Sequence, residues 1–222
     1  MPITDIFSNS PIIASVKDPE SLDAAIASDC NVVFILYGSI CNIGRIVQRI
    51  KAAGKHAFIH IDLLEGASNQ EVVVEFLKIV THADGIISTK SHMIKAAKAH
   101  GFYTILRLFL IDSISYFNAQ KQMMNCQPDS IEVMPGVMPV VIQWIRAKSP
   151  IPIIAGGLIC DEETANIALD AGVNAISTTN RDVWAMATPT SISSGSSLAA
   201  GYNAKPCGKT SVYMKGRTPQ QA

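Results

Sequence analysis

Eight short aliphatic runs, each followed by a stretch of helical character, alternate along most of the chain, and this alternation constrains the fold more than any other feature. The runs are "PIIASV" (11–16), "NVVFILYG" (31–38), "HAFIHIDL" (56–63) and "DGIIST" (84–89). They continue with "FYTILRLFLI" (102–111), "SIEVMP" (130–135), "IPIIAGG" (151–157) and "VNAIST" (173–178). Near-continuous apolar strands separated by single helices belong in a parallel sheet covered on both faces. Between the runs, Val73, Phe76, Leu77 and Val80 form one helical stripe, and Ala165, Ala168 and Leu169 form another. Asp18 before Pro19 reads as an N-cap and first helical residue, and Asp161 as a second N-cap. Gly54, Gly101 and Gly172 read as left-handed stops. Eight strand–helix units predict an α/β fold, a compact TIM-like (β/α)8 barrel, with an open doubly wound sheet as the alternative. The repeats span only about 175 residues, against ~250 typical of the fold, so helices and loops must be short.

Residues 185–222 break the pattern. They are rich in Ser, Gly, Thr and Pro, lack periodicity, and carry Lys205, Lys209, Lys215 and Arg217 without an acid. They read as a flexible, low-complexity basic tail behind a barrel domain of residues 1–184. The "GKT" at 208–210 lacks the preceding glycine and strand of a phosphate-binding P-loop.

At 48% hydrophobic and 16% charged residues with zero formal net charge, the chain has an aliphatic core and no global pull toward nucleic acid or a membrane surface. No apolar run approaches the ~20 residues of a membrane span, and no signal peptide opens the chain, so the cytoplasm is the expected location. The five cysteines (Cys30, Cys41, Cys126, Cys160 and Cys207) are scattered and never in C-x-x-C spacing. They read as buried reduced thiols rather than a disulfide framework or zinc site. His56 and His60 share a strand face but lack metal-ligand spacing. No cofactor or metal is implied.

In a barrel of this kind, residues just past the strands line the ligand face. Gly156 and Gly157 end the seventh run and Ser177–Asn180 the eighth, the two positions where the fold commonly holds phosphate. Glycine admits close backbone approach, and amides at a helix N-terminus point at an anion. The predicted phosphate contacts are therefore Gly156, Gly157, Ser177, Thr178 and Asn180. Asp62, Lys90 and Glu132, at the ends of other runs, would meet the rest of a small phosphorylated ligand. Arg107 and Glu132 fall within runs, where an unpaired charge is costly, so each is expected to face the mouth and pair with a neighbour or ligand. A tight turn for the glycine pair, helix capping for "STTN" and a structural Asp62–Lys90 ion pair are the duller readings.

These stretches, in order, resemble the glycerol-3-phosphate-responsive antiterminators, bacterial regulators of glycerol uptake and utilisation operons. The resemblance runs over about residues 11–184 and includes "HIDLLEG", "DGIISTKS", "RLFLIDS", "IEVMPGVMPVVI", "IPIIAGGLI" and "AISTTNRDVW". Ser39 in "LYGSI" stands where the family pattern carries an aspartate. The resemblance implies a TIM-barrel-like domain, glycerol 3-phosphate as effector and leader mRNA as partner, bound to prevent early termination. It implies a regulator rather than an enzyme. The residues alone do not advertise RNA: without the four tail cations the chain holds four more acids than bases. A local group such as Arg45, Arg49, Lys51 and Lys55 is equally a solvated helix face. The alternative function is a barrel enzyme acting on a glycerol phosphate or another small phosphorylated substrate, with Asp62, Lys90 and Glu132 for acid–base work. Oligomeric state stays open, a homo-oligomer included.

Overall fold

The computed structural model describes residues 2–8 and 11–187 and closes the eight runs into one parallel barrel in sequential order. Its strands are β1 (Ile12–Val16), β2 (Val32–Ile35), β3 (His56–His60), β4 (Gly85–Ser88), β5 (Tyr103–Phe109), β6 (Ser130–Met134), β7 (Ile153–Gly156) and β8 (Ala175–Thr178). A short helix, α1 (Ile3–Ser8), precedes them. The helices that follow the successive strands are α2 (Pro19–Ala27), α3 (Ile43–Ala52), α4 (Val72–Val80), α5 (Ser91–Ala99), α6 (Ser113–Cys126), α7 (Pro139–Arg146), α8 (Glu162–Asp170) and α9 (Arg181–Trp184). β1 pairs with β8 as well as β2, so no edge is left and the open-sheet alternative falls.

Helix ends follow the local chemistry. Asp18 accepts the Ser21 amide at 2.7 Å while the Ser21 hydroxyl accepts the Asp18 amide, a reciprocal cap worth about 1 kcal/mol. Asp112 with Ser115 and Asp161 with Thr164 repeat it. Gly54, Gly101 and Gly172 take positive φ as predicted. Residues 188–222 of the predicted tail lie outside the described residues. Its first three, Ala185–Ala187, form a 3-10 turn after α9 that buries Met186 and Ala187. Cys30 and Cys126 are buried free thiols as expected, but Cys41 is exposed, and Cys207 lies outside the described residues. No helix among the described residues is long and apolar enough to cross a membrane.

Side chains alternate between the two faces of each strand. The lower interior is apolar: Ile13, Phe34, Phe58, Ile87, Ile105 and Ile154 pack together, and Ile3, Ile6 and Phe7 of α1 close them off. Two residues further along the strands, the same face carries Ser15, His60, Arg107, Glu132 and Ser177, all buried. The barrel thus has an apolar floor and a polar upper layer.

The floor is filled to its limit. Phe58 lies 5.7 Å from Phe34 and 6.5 Å from Tyr103, ring centre to ring centre. A Cβ at Gly85 would stand 2.3 Å from the Phe58 ring and 2.8 Å from the Tyr103 carbonyl oxygen. Gly85→Ala is therefore expected to destabilise by ~1–3 kcal/mol, the usual penalty of overpacking. Urea denaturation reads this, and Phe58→Leu in the same chain should recover part of the loss. An unchanged midpoint for Gly85→Ala would show that the floor has slack.

Candidate functional site

Register brings the two in-strand charges together. Arg107 of β5 lies opposite Glu132 of β6, and its Nε donates to Glu132 Oε2 at 2.5 Å. The second carboxylate oxygen accepts from the Ser177 hydroxyl of β8, also at 2.5 Å. Glu132 is fully buried, which a carboxylate tolerates only when paired and hydrogen-bonded. The pair stands in the wall of a small cavity. That cavity holds about 150 Å³ and is lined by Ser15, Arg107, Glu132, Gly157, Ser177 and Thr178, among others.

The two glycines divide their work. A Cβ at Gly156 would stand 2.6 Å from both Glu132 Oε1 and Ser177 Oγ, so this glycine makes room for the buried pair beneath the cavity. Gly157 borders the cavity itself with φ of +71°, and Leu158 follows at +60°. Thr178 donates its hydroxyl to the Ile159 carbonyl at 2.8 Å and accepts the Asn180 amide at 3.0 Å. Asn180 caps α9 by accepting the Asp182 amide at 2.8 Å, and its side-chain amide donates to the Cys160 carbonyl. Both side chains tie the loops after β7 and β8 to each other.

Asp62 and Lys90 form a separate group after β3 and β4. Asp62 accepts from the Ser88 hydroxyl at 2.9 Å, the Thr89 amide at 2.7 Å and the Thr89 hydroxyl at 2.8 Å. Burial alone would push its pKa up, but the hydrogen bonds from Thr89 and Ser88 outweigh this and hold it below the usual carboxylate range. Lys90 Nζ lies 3.7 Å from Asp62 and also donates to Asn69.

Of the predicted site residues, Glu132, Gly157, Ser177 and Thr178 therefore meet at one cavity. Gly156 lies just below it, and Asn180, Asp62 and Lys90 stand outside its lining. Between the two groups is His60, which the sequence marks only as a poorly spaced metal ligand. It is buried, and its Nδ1 has no hydrogen-bond partner among the described residues. Burial first, and the nearby Arg107 charge second, push its pKa down to about 3, so the ring is neutral. Ser15 is likewise absent from the predicted set. The signal for both is present in the sequence: His60 and Ser15 lie two residues beyond the interior residues Phe58 and Ile13 of their own strands.

Fold and site together define a TIM-like barrel with a sealed floor and a small polar cavity at the C-terminal ends of its strands, where barrels of this kind hold ligands. Residues 12–184 match the family described as glycerol-3-phosphate responsive antiterminator. The Escherichia coli (strain K12) protein YgcP, itself uncharacterized, is 57% identical over 187 residues, covering 84% of this chain and 98% of that one. The glycerol uptake operon antiterminator regulatory protein from Listeria monocytogenes superposes with a TM-score of 0.78 at 34% identity, over 80% of this chain and 96% of its own. A glycerol uptake operon antiterminator-related protein from Thermotoga maritima gives 0.71 at 33% identity, over 79% and 98%. The chain belongs to the glycerol-3-phosphate responsive antiterminator family. Deoxyribose phosphate aldolase from Aeropyrum pernix, at 15% identity and a TM-score of 0.63, shares the fold alone.

Proposed function

We propose that this chain is a cytoplasmic antiterminator that binds glycerol 3-phosphate at the barrel mouth and, so loaded, binds the leader mRNA of glycerol-utilisation operons to prevent early termination. The observation that carries the reading is the cavity of about 150 Å³ with a guanidinium fixed in its wall beside the Gly157 and Ser177–Thr178 backbone. Drug-sized ligands need ~300–1,000 Å³; a phosphorylated three-carbon polyol needs far less. The phosphate would meet Arg107, Gly157, Ser177 and Thr178, with Gly156 and Asn180 setting the loops around it. Asp62, Lys90 and Glu132 then order the polar surroundings of the glycerol end. A regulatory rather than enzymatic role is supported by the carboxylates: both oxygens of Glu132 and of Asp62 already accept hydrogen bonds. Neither is poised to shuttle a proton.

The test is calorimetric titration with glycerol 3-phosphate, glycerol and inorganic phosphate, beside a turnover assay and RNA titrations with and without effector. The effector should raise RNA affinity by about 5–150-fold, the range of a ~1–3 kcal/mol coupling. Gly157→Val should remove both effector binding and coupling while the circular dichroism spectrum is kept. Its new side chain would stand 2.8 Å from Met134 Cε at a backbone φ of +71° that β-branched residues avoid. RNA affinity blind to the effector would defeat the switch, and turnover of a phosphorylated substrate or no RNA binding at all would return the enzyme reading to first place.

A further inference from the structure

We infer that the outer face built by α5, α6 and α7 seats single-stranded RNA, an assignment that rests on the antiterminator reading above. These three consecutive helices carry Lys95, Lys98, Lys121 and Arg146 and not one acidic residue, and Lys148 follows α7 directly. Lys98 has Asp129 at 3.8 Å, but among the described residues none of the other four cations pairs with a carboxylate. The basic group around α3 is mostly compensated, though Arg45 stands without a carboxylate partner among the described residues. Arg49 pairs with Asp23, Lys51 with Asp84 at 2.8 Å, and Lys55 is buried, donating to the Ser28 and Cys30 carbonyls. α8 carries Glu162, Glu163 and Asp170 without a base. Four of the cations that pair with no carboxylate among the described residues thus gather on this side, while Lys17, Arg45 and Lys78 lie outside these three helices.

Aromatic rings stand on the same face. Tyr116 lies 5.7 Å from Phe117 and 6.1 Å from Trp144 of the neighbouring helix, ring centre to ring centre. Phe117 and Trp144 are 56% and 54% exposed, in a chain with only 6% aromatic residues. The Lys148 ammonium sits 5.5 Å from the Tyr116 ring centre. Two cavities of about 330 and 570 Å³ follow the α6–α7 seam. Apolar walls alone would suit another protein surface. Helices that carry cations and no acid favour a polyanion, with Asp112 and Asp129 only in the connections beside them, and exposed rings select unstacked bases, which a duplex hides. The face is also wired to the cavity: α6 and α7 rise directly from β5 and β6, the strands of Arg107 and Glu132.

The experiment measures anisotropy of a fluorescent, unstructured RNA oligonucleotide with the full chain and saturating glycerol 3-phosphate. Phe117→Ala with Trp144→Ala should weaken binding about tenfold or more through lost stacking. Lys121→Glu with Lys148→Glu should weaken it and flatten the dependence of log affinity on log salt by about one unit for each phosphate no longer neutralised. Arg45→Glu, on the other side of the barrel, should leave it unchanged. The same sequence as a duplex should bind less tightly. Calorimetric effector titration of each variant keeps folding in view, since all should still bind glycerol 3-phosphate. RNA bound by the wild type and equally by both double variants would overturn the face and leave the antiterminator reading standing. No RNA binding by the effector-loaded wild type would overturn both. A change in sedimentation mass with unchanged RNA affinity would reassign the face to contact between copies of the chain.

Discussion

Replacing Arg107 by methionine should abolish glycerol 3-phosphate binding and lower stability by ~3–5 kcal/mol, the usual result of breaking a buried ion pair from one side. The carboxylate of Glu132, fully buried, would keep only the Ser177 hydroxyl. The double variant Arg107→Met, Glu132→Leu removes both charges at similar volume, and such exchanges are often neutral or stabilising. It should regain most of the stability and none of the binding. Chemical denaturation and calorimetry on the three proteins separate the structural from the ligand-holding part of the pair. Undiminished effector affinity in Arg107→Met would remove the guanidinium from the site.

Mild acid should destabilise the protein through His60. Its pKa is about 3 in the fold against an ordinary 6.5, so between those values the unfolded chain takes up a proton that the native ring refuses. Stability therefore rises with pH across this window and is lost as pH falls through it, by about 1.4 kcal/mol per unit. From pH 6.5 to 5 the loss should be about 2 kcal/mol. Arg107 opposes protonation of the ring, Asp62 favours it, and Lys90 opposes it weakly. Asp62 acts in a lower window: its pKa is held below 3.8, so its contribution persists above that value and fades beneath its native pKa. Urea midpoints against pH measure the effect, and His60→Gln should flatten the slope. A wild-type midpoint constant between pH 6.5 and 5 would mean the ring is already accessible to protons.

The barrel was legible because eight buried strands leave eight aliphatic runs, and each run contains its strand. Runs 31–38 and 56–63 overshoot β2 and β3. Leu36 still lines the cavity, while Ile61 and Leu63 belong to a 3-10 turn; apolar character does not mark where pairing stops. Glu132 and Arg107 announced themselves as charges inside apolar runs. Gly156 was ambiguous, because a glycine that clears space for a side chain across the barrel reads the same as one that admits a ligand. Asn180 and Thr178 show a related ambiguity, since hydroxyl and amide groups that staple two loops have the composition of an anion site. α1 left no clear sign, being too short to show a period. The α5–α7 face emerged only when the helices were set side by side, because its charges and rings are spread over residues 95–148.

The plug of Ile3, Ile6 and Phe7 beneath the barrel has a kinetic meaning. A tube stoppered at one end has a single doorway, so a small molecule must leave by the route it came, past the loops after β7 and β8. Its residence time is then governed by how often those loops part, not only by how strongly it is held. Any large body that rests beside the doorway and slows that parting prolongs occupancy without touching the occupant.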